Sequence, residues 1–127
     1  MNVQEEYRET SFSTQSQGQL VVMLYDGAIR FLKIAQEKLE ENDHAGKGIY
    51  IGKAQDIISE LNNSLDMDSG GELSKNLRAL YNFLYRHLNR ANMERDQQKL
   101  RDCIGILEEL HEAWEQVAEE DMPSHTG

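Results

Sequence analysis

The chain has 127 residues, one cysteine, one proline and a formal net charge of −10. This length suits one domain with one hydrophobic core, and a single cysteine excludes an internal disulfide framework. The acidic balance argues against nucleic acid and anionic membranes as partners, because both bind basic patches. No apolar run is long enough for membrane insertion, and the N-terminus lacks the pattern of a signal peptide, so we expect a cytoplasmic protein.

The N-terminal segment, residues 1–15, is polar and predicts an arm without regular structure. Tyr7 and Phe12 interrupt this polarity as isolated apolar groups. They are therefore candidates for covering the rest of the domain or docking on a partner, and a frayed terminus is the alternative.

Four long segments follow in which apolar residues recur at helical spacing. The predicted helices cover about residues 17–41, 44–66, 70–93 and 97–120, with Asp43, Ser69 and Asp96 as candidate N-terminal caps. Long helices joined by short turns pack as antiparallel neighbours. The sequence therefore predicts an all-α fold, an antiparallel up-and-down four-helix bundle over residues 16–120. A flexible N-terminal arm over 1–15 precedes it, and a disordered tail over 121–127 follows.

The first predicted helix carries more apolar side chains than one core-facing stripe requires. Its most regular stripe is assigned to the core: Leu20, Leu24, Ala28, Phe31 and Ala35. The apolar residues towards the opposite side are assigned to a groove for a partner: Val22, Tyr25, Ile29 and Leu32. A large uncovered apolar patch on a soluble protein usually marks such a site. Five aromatic residues suit either the core or a binding groove: Tyr25, Tyr50, Tyr81, Tyr85 and Trp114. Of those on the later helices, we include Tyr50 and Tyr85 as candidate anchors.

Motifs for catalysis or metal binding are weak. Glu108 and His111 have the spacing of a di-iron ligand pair, but Leu84 stands where a second motif with His87 would need a carboxylate. The residues after His87 do not suit a phosphotransfer histidine either. We therefore expect no enzyme activity, no metal site and no cofactor, and we expect Cys103 to be a small buried hydrophobe.

Several short segments of the helices occur in one ordered series. They are Leu24–Leu32 (LYDGAIRFL), Lys53–Ile58 (KAQDII), Ser64–Met67 (SLDM), Gly71–Glu72, Asn76–Leu77, Leu80–Tyr81, Tyr85–Arg86 and Ala113–Trp114. Each segment alone is unspecific, but the series, from about Tyr7 to Val117, resembles the FliS family of flagellar export chaperones.

The resemblance implies a cytoplasmic four-helix bundle that binds the C-terminal region of flagellin. That region is disordered in the monomer, and the chaperone covers it, blocks premature polymerisation and presents the subunit to export apparatus components. The resemblance also implies an N-terminal arm near the binding surface that can move aside, and Tyr7 matches the tyrosine motif of the family.

A second class of function remains open, a general helical adaptor or a structural bundle that self-associates through the same apolar patch. Without its client, the protein is expected to be a monomer or a weak homodimer. Mixing with a flagellin C-terminal peptide distinguishes the two classes, since only a chaperone forms a stoichiometric complex with it.

Overall fold

A computed structural model describes the backbone of residues 3–121 and the side chains of residues 17–119. Within that range there are four α-helices and no strand: α1 Val3–Glu40, α2 His44–Asn63, α3 Gly71–Glu94 and α4 Gln97–Asp121. The predicted all-α fold of four helices is confirmed.

The four helices form a ring in which each helix packs on two others. Helix α1 contacts α2 and α4, and α3 contacts the same two helices from the other side. Hydrogen bonds across α2 and α3 join Lys47 to Asn92 and Gln55 to Asn89, so one helix runs up as the other runs down. The bundle therefore has two different ends. At one, which we call the α2–α3 end, α2 and α4 finish and α3 begins. At the opposite end, tight turns join α1 to α2 and α3 to α4.

The core is built from residues spaced three or four apart on every helix. Its largest fully buried side chains come from all four: Tyr25, Leu32, Ile51, Ile58, Leu61, Tyr81, Leu84, Leu88, Leu100, Cys103 and Leu107. The Tyr25 and Tyr81 hydroxyls meet inside the bundle, so α1 and α3 touch across its diagonal. Cys103 is buried as predicted, and burial raises the pKa of its thiol to about 12.

The helix caps agree with the prediction at two positions and differ at a third. The Asp43 carboxylate accepts from the Gly46 N–H at 2.9 Å, and Asp96 accepts from the Gln98 N–H at 2.8 Å. Ser69 is not the cap of α3, because Gly70 holds that position without a side-chain bond and the Ser69 hydroxyl bonds to Asp66 instead.

The termini of α1 and α2 also differ from the sequence prediction. Helix α1 begins at Val3, well before the predicted start near residue 17, and α2 ends at Asn63 rather than near residue 66. The expectation that residues 1–15 lack regular structure is wrong from Val3 onwards, because the backbone there belongs to α1. The side chains of Tyr7 and Phe12 lie outside the described side chains, so their docking role stays a prediction. Residues 122–127 of the predicted tail lie outside the described chain, and Asp121 belongs to α4.

The assignment of the two faces of the first helix is wrong. Tyr25, Ile29 and Leu32, predicted to face an open groove, are buried in the core, whereas Leu20, predicted to be core, is 54% exposed. The buried residues of α1 are Tyr25, Ala28, Ile29, Leu32, Ala35 and Leu39. Of the predicted stripe only the two alanines are fully buried, while Leu24 and Phe31 are partly buried and pack against the core. Tyr25 belongs to the core because its hydroxyl has a buried partner on α3, which removes the cost of burying a polar tip.

Candidate binding groove at one end of the bundle

The two ends of the bundle differ in how they are closed. At the opposite end, the buried Lys47 ammonium donates to the Asn92 carbonyl at 2.8 Å, and Gln97 donates to the Gln36 carbonyl at 3.0 Å. Burial, with Arg95 nearby, lowers the pKa of Lys47. At the α2–α3 end the helices instead leave a half-open cavity of about 190 Å³.

We call this cavity the end groove. Its apolar lining comes from all four helices and the α2–α3 turn: Val21, Leu61, Leu65, Leu73, Leu77 and Trp114. Gln17, Ser64, Asp66 and Ser74 add polar atoms to the lining, and Tyr81 also lines it. An apolar concavity with a few polar groups is the usual form of a binding site in a helical bundle.

The groove stays open because of how the chain passes from α2 to α3. The Asp66 carboxylate accepts from the Ser69 hydroxyl, from the Ser69 N–H at 3.0 Å and from the Asp68 N–H at 3.1 Å. These bonds lower the pKa of Asp66 and fix the turn. A Cβ at Gly70 would clash with the Asp66 carbonyl and the Ser74 side chain, and Gly71 has a φ of 60°. The glycine pair therefore permits a compact reversal that holds the first turn of α3 beside the cavity.

The inner part of the groove is supported by the pair of buried tyrosines. Burial raises the pKa of Tyr25 and of Tyr81 above the ordinary tyrosine value, and for Tyr25 the contact with Tyr81 adds to the rise. Both phenols are therefore neutral at physiological pH, and the groove has an uncharged inner wall. The two hydroxyls satisfy each other, so the wall does not carry an orphaned polar group.

Exposed apolar side chains are present at this end of the bundle. Leu73, in the groove lining, is 61% exposed, and Leu20, Met67 and Val117 also leave large apolar surface in water. Helices α1 and α4 approach closely here, because a Cβ added at Gly18 would lie only 3.3 Å from the Ala118 Cα. The rim of the groove therefore offers further surface to a bound protein segment.

None of the six predicted groove residues is part of the apolar lining of the end groove. Tyr25, Ile29 and Leu32 are core residues, and Val22 is half-buried. Tyr50 is half-buried and packs on the Phe31 ring, with centroids 6.0 Å apart. Tyr85 is 40% exposed on α3, where its carbonyl accepts from Gln55.

None of the six apolar groove residues is assigned to a binding groove by the sequence analysis: Val21, Leu61, Leu65, Leu73, Leu77 and Trp114. The sequence does contain one local indication of the groove: Leu65 and Leu73 flank the glycine-containing turn between α2 and α3. Apolar residues beside a turn at the end of two helices have fewer neighbours than those in mid-helix. They are therefore better candidates for an open site.

Other kinds of site receive no support from the described residues. Among them no group of three potential metal ligands occurs, and His111 instead lies 3.7 Å from the Glu115 carboxylate. Within the same residues, no helix is long and apolar enough to cross a membrane.

A helical bundle with an open apolar groove at one end belongs to the class of proteins that bind a segment of another protein. The family model described as flagellar protein FliS matches residues 1–121. The chain belongs to the FliS family, as the ordered series of short segments predicts.

Relatives in several bacteria support the same assignment. The flagellar secretion chaperone FliS of Bacillus subtilis is 33% identical over 121 residues, which cover 95% of this chain and 90% of the relative. The proteins of the same name from Salmonella typhimurium and Vibrio cholerae are 38% and 37% identical, and the matches cover 87% and 88% of this chain and 82% of each relative. Family membership makes this chain a flagellar secretion chaperone.

Proposed function

We propose that this chain is a cytoplasmic export chaperone whose end groove binds the C-terminal region of flagellin. Binding keeps that region from polymerising early and holds the subunit ready for export apparatus components. The observation that carries the proposal is the open apolar groove at one end of a bundle that belongs to the FliS family.

The groove suits a segment that is disordered before it binds. Such a segment inserts apolar side chains among Leu65, Leu73 and Trp114 and gains enough from their burial to offset the cost of becoming ordered. The neutral inner wall at Tyr81 accepts an apolar side chain without leaving a charge unpaired. This chemistry is that of a binding protein rather than an enzyme, and it requires no cofactor.

The acidic surface supports the same role. A net charge of −10 keeps molecules apart by mutual repulsion, which protects a protein with exposed apolar side chains from association. We therefore propose that the free chaperone is a monomer or a weak homodimer, and that neither nucleic acid nor membrane is a partner.

The N-terminal segment leaves from the rim of the groove. Gln17 and Val21 line the groove, and the helical backbone continues from them towards Val3. We propose that Tyr7 and Phe12 dock near the groove in the free protein and give way to the client. We propose that Val22, Tyr50 and Tyr85 contact parts of the client that lie outside the groove. The buried Tyr25, Ile29 and Leu32 would support the binding surface from inside the bundle.

The test compares two charged substitutions at equally exposed leucine and isoleucine positions. Leu73→Asp places a carboxylate in the groove, and Ile49→Asp places one on α2 outside the groove lining, where the side chain is 57% exposed. Both variants should melt near the wild-type temperature, because neither side chain is buried. Leu73→Asp should weaken binding of a flagellin C-terminal fragment by about tenfold or more, because the charge would be desolvated without a partner.

Calorimetric titration of both variants with the fragment gives the result. Equal affinities for Leu73→Asp and the wild type would place the client elsewhere. If the wild type fails to bind the fragment and instead self-associates at increasing concentration in analytical ultracentrifugation, the alternative of a self-associating structural bundle is correct.

A further inference from the structure

A second surface, on α3, combines exposed apolar side chains with arginines. Phe83, Arg86, Arg90 and Met93 recur at spacings of three and four and therefore share one side of the helix, which we call the α3 outer face. Phe83 is 39% exposed and Met93 is 75% exposed. A cavity open to solvent is lined by Phe83, Arg86, His87 and Arg90.

The aromatic group of this face is held in a fixed position. The Phe83 ring stacks on the His87 ring with centroids 4.9 Å apart and an angle of 23° between the planes. The His87 Nε2 lies 3.2 Å from the Asp102 Oδ2 on α4, which anchors the imidazole from the other side. A fixed aromatic ring is suited to act as a binding anchor, because less side-chain conformational entropy is lost when a partner covers it.

Arg86 and Arg90 give the α3 outer face a local positive charge on an acidic chain. Within the described side chains, the lysines on the other surfaces mostly have carboxylate neighbours, such as Lys33 with Glu108 and Lys75 with Glu72. Arg86 and Arg90 are exposed and form no ion pair with a described carboxylate. Two carboxylates close to the face already have other partners: Asp102 contacts His87 and Gln98, and Glu94, one turn after Arg90, lies 3.3 Å from the Lys99 ammonium.

The overall negative charge does not cancel this local basic site. At physiological ionic strength, exposed charges are screened over about 8 Å. A partner on the α3 outer face therefore experiences mainly the two nearby guanidinium groups, which bind carboxylates through paired hydrogen bonds.

The face is also separate from the end groove. The groove uses the start of α3, through Leu73 and Leu77, on the side turned towards the core. The outer face uses the second half of the same helix on its solvent side. A client in the groove thus leaves the α3 outer face accessible.

We propose that the α3 outer face binds an acidic segment of a second protein, with two carboxylates against Arg86 and Arg90 and apolar side chains over Phe83 and Met93. The four positions span eleven residues of helix, a rise of about 15 Å, so two to three turns of a partner helix are sufficient. The proposal does not depend on which client fills the end groove. It makes the chaperone a two-sided adaptor that holds one protein and docks on another.

The probe is a short helical peptide that carries two glutamates one turn apart and a leucine at each end, titrated into isotopically labelled protein. We expect amide shifts on α3 around residues 83–93 and affinity that falls as salt is added. The same peptide with glutamine in place of glutamate should bind roughly tenfold more weakly. Shifts spread evenly over the protein, or equal binding of the two peptides, would overturn the proposal.

Two doubly substituted variants provide the matched comparison. Arg86→Glu with Arg90→Glu reverses the charge of the α3 outer face, and Arg30→Glu with Arg101→Glu makes the same change in net charge on α1 and α4. All four side chains are exposed, so both variants should fold, which a thermal melt checks. The first variant should lose peptide binding and the second should keep it.

Competition separates this face from the client site. Unlabelled flagellin C-terminal fragment should leave the affinity of the peptide for the α3 outer face unchanged, even where the fragment itself shifts amides near Tyr85, its proposed contact on α3. Displacement of the peptide by the fragment, or similar losses of binding in both double variants, would show that no separate acidic-segment site exists.

Discussion

At the scale of single residues, the contact between Tyr25 and Tyr81 determines which side of α1 faces the core. Each hydroxyl is buried and each has the other as its partner. An apolar count along α1 does not place Tyr25 in the core, because it cannot include a partner 56 positions away in sequence. The correct stripe therefore depends on a long-range polar contact.

The tyrosine pair leads to a prediction about stability. Tyr81→Phe should destabilise the protein by about 1–3 kcal/mol, because the buried Tyr25 hydroxyl loses its hydrogen bond to Tyr81. The double variant Tyr25→Phe with Tyr81→Phe should be more stable than the sum of the two single changes predicts. Urea unfolding of the three variants measures this coupling, and strictly additive changes would contradict it.

The corrected faces of α1 give a second prediction. Ile29 is 8% exposed and Met23 is 68% exposed on the same helix. Ile29→Asp should unfold the protein or lower its melting temperature severely, because an unpaired charge would enter the core. Met23→Asp should melt close to the wild type. A normal melt for Ile29→Asp would mean that the described core is wrong at this position.

At the scale of helices, most of the architecture follows from the sequence. Apolar residues that recur with a period of 3.6 predict the four helices. The short polar connections between them predict that consecutive helices are antiparallel neighbours. Asp43 and Asp96 are found because an N-cap is a local interaction within three residues. The groove is not found, because it is formed where Leu61, Leu73 and Trp114 of three helices meet, and no local pattern contains that arrangement.

The start of α4 gives a third prediction. Hydrogen bonding to Lys99, first from its side chain and then from its N–H, lowers the pKa of Asp96. A carboxyl whose pKa is lower in the folded protein stabilises the fold above its unfolded pKa, and this contribution disappears as the pH falls through the folded pKa. Asp96→Asn should therefore be less stable than the wild type at neutral pH, and the difference should shrink in acid.

Urea midpoints for the wild type and Asp96→Asn between neutral pH and about pH 3 measure this effect. Asp66→Asn should likewise be less stable than the wild type at neutral pH, with a difference that shrinks in acid. The reason is that bonds to Ser69 lower the pKa of Asp66 as well. A constant difference across this range would mean that the charge on Asp96 does not contribute.

At the scale of the whole molecule, the bundle is closed at one end and open at the other. Buried polar bonds such as that of Lys47 seal the end with the tight turns. The compact reversal at Gly70 and Gly71 leaves the α2–α3 end with an apolar groove. A flagellar secretion chaperone of the FliS family thus has a preformed concave surface on an acidic, self-repelling molecule.

The most direct test of the proposed client site uses the one tryptophan of the chain, Trp114, which is half-buried in the groove lining. A tryptophan-free C-terminal fragment of flagellin is titrated into the protein while the indole emission is recorded. We predict a shift to shorter wavelength that saturates at an equimolar ratio, and a much weaker response in Leu73→Asp. Unchanged emission, under conditions where calorimetry shows that the fragment binds, would contradict the assignment of the client to the end groove.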